Sequence, residues 1–473
     1  MSFYFYDFET WGADPKRDRP AQFAGIRTDA ELNIIGKPDV WYCQLAPDYL
    51  PHPQAALITG LTPQLCQQRG LPETEFMGKI LQRFSEPDSC VLGYNSIRFD
   101  DEVSRHSLYR NFYEPYGREW QQGNSRWDLL DVVRACYALR PEGIEWPLKD
   151  DGTPSFKLED LARANQLAHE QAHDALSDVY ATIALAKLIR DKQPRLFQFL
   201  FEHRKKQALS KYINLANQTP LVHVSGKFPA SQGCVSWVVP LAFHPTNKNA
   251  LIAWNLLADP TPLLAFDNDQ LREKLYTKTA DLAEGEERLG LKLIHLNKCP
   301  VLAPAKTLSE QRADELGIDR SKCRAHLNLL LAHPELQQKV QQVFAVTQEF
   351  PDESNPDYQL YQGFLADADK QKMAELHQLS PQQLEVQAPL FSDERLNQLL
   401  FRYRARNYPA SLNEQEMLQW QQYCVDRLTD GLDDPPLTLE AFHQQLELAA
   451  QQHQHDERAM RILKALYHYA EQL

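Results

Sequence analysis

FYFYDFET, residues 3–10, is too rich in aromatic side chains for a loop and carries two acids two positions apart. On a β-strand, residues two apart project to the same face, so Asp7 and Glu9 stand together and can hold one cation between them. A solvated strand end is the ordinary alternative for an isolated D-x-E. The aromatic surroundings weigh against it, because acids inside an apolar strand need a compensating charge. Working outward, QFAGIRT (22–28) and VWYCQL (40–45) are further apolar runs separated by the turn-rich GADPKRDRP and TDAELN, which predicts an antiparallel meander. FMGKILQRF (76–84) reads as a helix, CVLGYN (90–95) as a buried strand and DDEVSRHSLYRNFY (100–113) as another helix. A long helix over 172–190 carries Leu176, Val179, Ile183 and Ala186 at core spacing until DKQPRLF (191–197) breaks it. The alternation predicts an α/β domain over residues 1–193.

At 473 residues the chain is too long for one hydrophobic core, so further domains are expected. From about residue 220, LVHVSG, CVSWVVPLAF, ALIAWNLL and LKLIHLN are strand-like runs broken by Pro, Gly and Asn, which predicts a small β-rich domain over 194–348. EFPDESNPD (349–357) reads as a linker. Beyond it, helical periodicity over 393–407, 412–428 and 437–472 predicts an α-helical C-terminal domain over 349–473, with the glutamine pairs near 382, 421, 444 and 451 on solvated faces.

Hydrophobic residues at 43% and charged residues at 24% describe a folded, soluble protein. No two of the eight cysteines are close enough for a C-x-x-C pair, which excludes a zinc or iron–sulfur motif and fits a reducing cytoplasm. The N-terminus lacks the pattern of a signal peptide, and no run approaches the length of a membrane span. The formal net charge of −14 argues against a protein that coats nucleic acid nonspecifically, although an acidic body can still carry a local basic groove.

Two further segments carry chemistry. Asp100 follows the strand VLGYN where a helix would begin, so the helix N-cap is as good a reading of it as metal ligation. Asp101 and Glu102 read as first-turn acids favoured by the helix dipole. In AHDALSDVY, His173 and Asp178 lie five residues apart, about 140° on an ideal helix, so the histidine must precede the helix or sit in its frayed start. From there an imidazole of near-neutral pKa can act as a general base over a metal held by Asp178; an ordinary helix-start histidine is the alternative.

Taken together, D-x-E first, a central Asp after a strand and H-x-x-x-x-D on the last long helix resemble the DEDDh branch of 3′ to 5′ exonucleases, with the DnaQ-like, ribonuclease H-like fold. LITGLT (57–62) is similar to that family's loop near the 3′-terminal nucleotide. The likeness extends along nearly the whole chain through YDFETWG, RPAQFAGIRTD, GYNSIRFDDEVSRHSLYRNFY, NSRWDLLDVVRACYALRPEGIEWP and YRARNYP, which resemble the bacterial exodeoxyribonuclease I family. The resemblance implies an exonuclease domain, an SH3-like domain and a helical C-terminal domain. It also implies processive 3′ to 5′ degradation of single-stranded DNA to 5′-mononucleotides, with a role in DNA repair and recombination. Asp7, Glu9, Asp100 and Asp178 would then hold two Mg²⁺ roughly 4 Å apart, with Mn²⁺ an alternative, and His173 would take the proton of the attacking water.

The strand would be held by the stretch 98–140, where seven arginines and no lysine alternate with aromatics, the ingredients of a single-strand binder. Equal numbers of acids in that window mean that some of these arginines form structural ion pairs. The expected contacts are Arg105, Tyr116, Trp120 and Arg134, then Phe156 and Lys157 in the loop DDGTPSFKLEDL, where Lys replaces the arginine of the family pattern. Asn249, Tyr276 and Lys292 are further candidates. Glu9 is expected to touch substrate as well as metal. The resemblance also brings in the acidic C-terminal tail of single-stranded-DNA-binding protein, although PAKTLSEQRADELG has Ser309 where an arginine is expected. A cytoplasmic monomer without membrane contact completes the picture. The competing readings are a DEDDh exoribonuclease and a catalytically inactive module that binds DNA ends.

Overall fold

The computed structural model describes residues 1–167, 174–278, 281–282, 288–346 and 353–473. His173 lies outside the described residues. The chain forms two compact units, one made of Met1–Arg126, His169–Tyr180 and Pro351–Leu473, the other of Trp127–Ala168 and Ala181–Phe350.

The aromatic opening stretch becomes β1, Ser2–Thr10, followed by β2, Pro20–Thr28, and β3, Ile34–Tyr42. These pair antiparallel in sequence order, the expected meander, and β4, Ser89–Gly93, adds parallel to β1. With β5, Ser125–Asp128, the order is β3-β2-β1-β4-β5. β1 is central and nearly all buried: Tyr4, Tyr6 and Phe8 pack with Phe23, Phe76, Ile80 and Phe84 into one aromatic core, while Asp7 and Glu9 keep part of their surface open. Helices Glu73–Phe84, Asp100–Arg110 and Ala175–Lys192 arise where their apolar spacing predicts them. Pro194 ends the last of these and starts Pro194–Glu202 at its first turn, where the missing N–H costs nothing.

In the second unit β6, Leu221–Val224, β7, Val235–Phe243, β8, Ala250–Asn255, β9, Leu291–His295, and β10, Val301–Pro304, form an antiparallel sheet in the order β10-β6-β7-β8-β9. Four of these strands coincide with the apolar runs of the sequence. β10 was hidden because VLAP is only four residues long and ends in proline.

The C-terminal region corrects three expectations. The single helix over 437–472 is two, Leu439–Gln452 and Glu457–Ala470, because the Asp456 side chain accepts the Arg458 and Ala459 N–H groups and caps a new start. Helices Asp367–Leu376 and Pro381–Gln387 occupy a stretch without clear periodicity. The described end of the expected linker is core, since Asn355 and Asp357 are 0% exposed. Arg402 donates to Asn355 Oδ1 at 2.8 Å, and Arg406 donates to Asp357 Oδ1 at 2.6 Å.

Candidate active site

β1 turns Asp7 and Glu9 to one side, and the first turns of the helix Ala175–Lys192 bring Asp178 against them. Each of the three offers a carboxylate oxygen within 4.8 Å of the others. Asp100 is the first residue of its helix and not the N-cap, a position taken by Phe99 without a side-chain bond. Its Oδ1 accepts the backbone N–H of Phe8 at 3.1 Å, which ties the fourth acid to the strand residue between Asp7 and Glu9.

The electrostatics are those of a cation site. Burial, then the charges of Asp100, Glu9, Asp178 and Asp174, push the Asp7 carboxyl well above its ordinary range. Burial, then Asp178, Asp100 and Asp174, push Glu9 up to about 9. Without cations these carboxylates repel one another, and a hard oxygen-only donor set of this kind fits divalent ions such as Mg²⁺ or Mn²⁺. Asp7, Glu9, Asp178 and Asp100 are the residues that would hold them.

Two residues of the site went unread in the sequence. Asp174 adds negative charge to Asp7 and Glu9, and its Oδ1 accepts a hydrogen bond from Gln22 Nε2 at 3.2 Å. Its position directly before a helix was a capping signal that could have drawn attention to it. Gln22 had no signal of its own, because its role comes from facing Glu9 across β1 and β2.

Asp101 and Glu102 stand in the first helical turn, as expected, and each is also ion-paired. Asp101 is 1% exposed and accepts from Tyr6 Oη at 2.8 Å, Arg118 at 2.8 Å and Arg126 at 2.7 Å. Burial opposes its charge, but Arg118, Arg126 and Arg105 outweigh burial and hold the carboxyl well below the usual range. Arg105 is buried, donating to Glu119 at 2.8 Å and to Glu102 at 2.9 Å, with the Tyr116 ring beneath its guanidinium. These pairings answer the acids counted in the arginine-rich stretch. Trp120 stands 67% exposed.

The remaining expected contacts fall in the second unit. Arg134 donates to Asp131 at 2.9 Å, and the Phe156 ring meets Tyr137 edge-on at 5.5 Å. Lys157 is exposed at the start of the helix Leu158–Ala164. Asn249 accepts from Lys206 Nζ at 2.8 Å, Tyr276 is 45% exposed, and Lys292 Nζ lies 3.7 Å from the Phe228 ring centroid. Ser309 caps the helix Glu310–Glu315 by accepting the Arg312 N–H.

A cavity of about 980 Å³ opens beside Glu9, lined among others by Phe8, His52, Ala55, Ile58, Thr59 and Phe99. Ile58 and Thr59 belong to LITGLT.

Comparison with known proteins agrees with this architecture. Residues 4–186 match the family model described as exonuclease, 204–346 the exonuclease I SH3-like domain, and 354–473 the exonuclease I C-terminal domain. The chain is 50% identical over 472 residues to exodeoxyribonuclease I of Escherichia coli, covering 100% of this chain and 98% of that protein. It is 49% identical over 470 residues to the Haemophilus influenzae exodeoxyribonuclease I, covering 99% and 98%. The crystal structure of E. coli exonuclease I with a dA16 oligonucleotide superposes with a TM-score of 0.96 at 50% identity, covering 100% of this chain and 99% of that one. The zinc-bound E. coli exonuclease–single-stranded-DNA complex superposes at 0.94 and 49% identity, covering 100% and 99%. A structure of SSB/exonuclease I with an inhibitor gives 0.91 and 47%, with the same coverage.

Proposed function

The chain belongs to the exodeoxyribonuclease I family, and from that premise we propose that it degrades single-stranded DNA from the 3′ end, releasing 5′-mononucleotides processively in DNA repair and recombination. The observation that carries the reading is the convergence of Asp7, Glu9 and Asp178 within 4.8 Å, with Asp100 bonded to the backbone between the first two.

The family and a zinc-bound relative imply dependence on divalent metal. We assign Mg²⁺ as the working ion, two per site, held by Asp7, Glu9, Asp100 and Asp178, with Mn²⁺ a substitute. Held by these four carboxylates, such ions would supply a lowered pKa for the attacking water and charge stabilisation for the leaving 3′-oxygen. The chain's own residues do the rest. The rigid row on β1 fixes two carboxylates, and the cavity beside Glu9 takes the terminal nucleotide against Phe99 and Ile58. Glu9, at its edge, touches both metal and substrate, and His173 accepts the water's proton.

Exposed Trp120 in the first unit offers a stacking surface; in the second unit Tyr276 offers another, Lys157 and Lys292 offer charge, and Phe156 and Asn249 are further proposed contacts. Tyr116 and Arg134, both partly exposed, are proposed contacts, whereas Arg105 is buried between Glu119 and Glu102 and acts by holding the Tyr116 ring rather than by meeting the strand. The three matched family models support domain boundaries at 1–193, 194–348 and 349–473.

For the acidic tail of single-stranded-DNA-binding protein, a cavity of about 510 Å³ in the second unit has suitable chemistry. Arg140 and Arg195 supply positive charge, and Pro194, Leu196 and Phe199 supply an apolar floor. It meets the stretch 304–317 only at Thr307. A cytoplasmic monomer is the working assembly; among the described residues no helix is long and apolar enough to cross a membrane.

The test is time-resolved digestion of 5′-labelled single-stranded DNA, duplex DNA and the matching RNA, with Mg²⁺ and with chelator. Stepwise loss from the 3′ end of the DNA strand alone is expected. Equal turnover of the RNA would make the enzyme an exoribonuclease, and binding without cleavage would make it an end-binding module.

A further inference from the structure

We propose that Gln22 and Asp174 are a positioning pair that pins the start of the Asp178-bearing helix to the strand row carrying Glu9. The inference rests on the metal-centre reading of that site. Gln22 stands directly opposite Glu9 in the pairing of β1 with β2, and Tyr42 stands directly opposite Gln22 in the pairing of β2 with β3. Directly opposed residues share a face of the sheet, so the three side chains form one polar row across three strands. Gln22 is 3% exposed, a depth at which a primary amide needs partners. Its Nε2 donates to Asp174 Oδ1 at 3.2 Å and approaches Tyr42 Oη at 3.4 Å.

Asp174 is built into the helix start from its other side. Its Oδ2 faces the Ser177 N–H at 3.4 Å, and its carbonyl accepts the Asp178 N–H at 3.1 Å. A carboxylate is favoured at that end of a helix. Both oxygens of Asp174 are therefore directed to Gln22 and to the helix, and Asp174 stands outside the trio Asp7, Glu9 and Asp178. Asp178 has to be held beside two other carboxyl groups before any cation arrives. The Gln22 amide supplies a neutral donor that anchors the helix start there without adding charge to the site.

The experiment uses the full-length enzyme, Mn²⁺ as the probe, and calorimetric titration beside steady-state digestion of a single-stranded oligonucleotide. Gln22→Leu, Gln22→Glu and Asp174→Ala should each weaken Mn²⁺ binding and lower kcat by about 10- to 100-fold with KM unchanged, the size expected for a group that orients a metal ligand. Asp174→Asn keeps an acceptor for Gln22 and should bind Mn²⁺ much as the wild type does. Combining Gln22→Glu with Asp174→Asn lets the new amide donate to the new carboxylate and should recover binding relative to Gln22→Glu alone. Wild-type Mn²⁺ affinity in Gln22→Leu and Asp174→Ala overturns the proposal. If Gln22→Leu does not fold, equal affinities of Asp174→Asn and Asp174→Ala overturn it instead. Asp178→Asn runs in parallel: wild-type metal binding and cleavage there would remove the metal-centre reading itself, an outcome separable from any result at Gln22.

Discussion

At the scale of single residues, the site trades stability for charge density. In the unfolded chain Glu9 titrates near its ordinary 4.5, whereas in the cation-free fold its carboxyl is pushed up to about 9 by burial and by Asp178, Asp100 and Asp174. Between those values the native state holds the extra proton, so raising the pH across that window destabilises the protein. In chelator, the melting temperature should fall as pH rises from about 5 to 9, and saturating Mg²⁺ should remove most of that slope. Asp178→Asn removes one of the repelling charges. It should lower kcat by about 10²- to 10³-fold or more while leaving the melting temperature in chelator unchanged or higher. Calorimetry beside a nucleotide-release assay checks both. Asp7, Glu9, Asp100 and Asp178 were legible because their order and spacing along the chain are distinctive, whereas Asp174 was not. Nor were the partners of Asp101, since nothing in DDEVS shows that this first-turn acid will meet Arg118, Arg126 and Tyr6 across the fold.

Among elements, the helix Asp100–Arg110 is held by buried polar side chains at both of its ends. Arg110 donates to Glu73 at 2.9 Å, Asn407 donates to Asn111 at 3.2 Å, and Asp101 joins β1 through Tyr6. Removing one partner of a buried ion pair leaves the other charge uncompensated, which costs about 3–5 kcal/mol. Asp101→Ala should lose stability on that scale in urea titration, and it should also lose activity, because Asp100 moves with the helix start. An undiminished midpoint would show that Arg118 and Arg126 find other partners. Strands β1 to β4 and β6 to β9 and the helices Glu73–Phe84, Asp100–Arg110 and Ala175–Lys192 could be read from alternation and 3.6-residue spacing, whereas the short β5 was not. β10 and the break at Asp456 could not, since a four-residue strand and an Asx cap are local features that hydrophobic periodicity does not sample.

At the scale of the molecule, the first compact unit is made from both ends of the chain. Trp11, Ala21, Tyr49 and Leu50 share one core with Leu428, Phe442, Leu446, Ile462 and Leu466. Tyr109 and Phe112 share another with Met373, Leu396, Leu399 and Tyr403. The same unit holds a buried charge cluster in which Arg406 bonds both Asp48 and Asp357, at 2.6 Å each. Burial opposes the Asp357 charge, but Arg406, Arg402 and Arg19 hold the carboxyl well below its ordinary 3.8. A chain truncated before residue 354 should therefore expose Trp11 and Tyr49, leave Asp48 without Arg406, and be recovered as aggregate or be rapidly proteolysed, with no nuclease activity. Recovery of a compact, active fragment would refute the shared core. The domain boundaries read from the sequence follow changes in composition, and composition says nothing about which segments share a core.

This arrangement also has a consequence in time. Synthesis proceeds at about 5–20 residues per second, and Trp11, which follows Glu9 closely in sequence, shares its core with Ile462 and Leu466. A polypeptide still short of residues 462 and 466 thus carries Asp7 and Glu9 beside a Trp11 whose packing is incomplete, and cleavage is expected only after that stretch has been made.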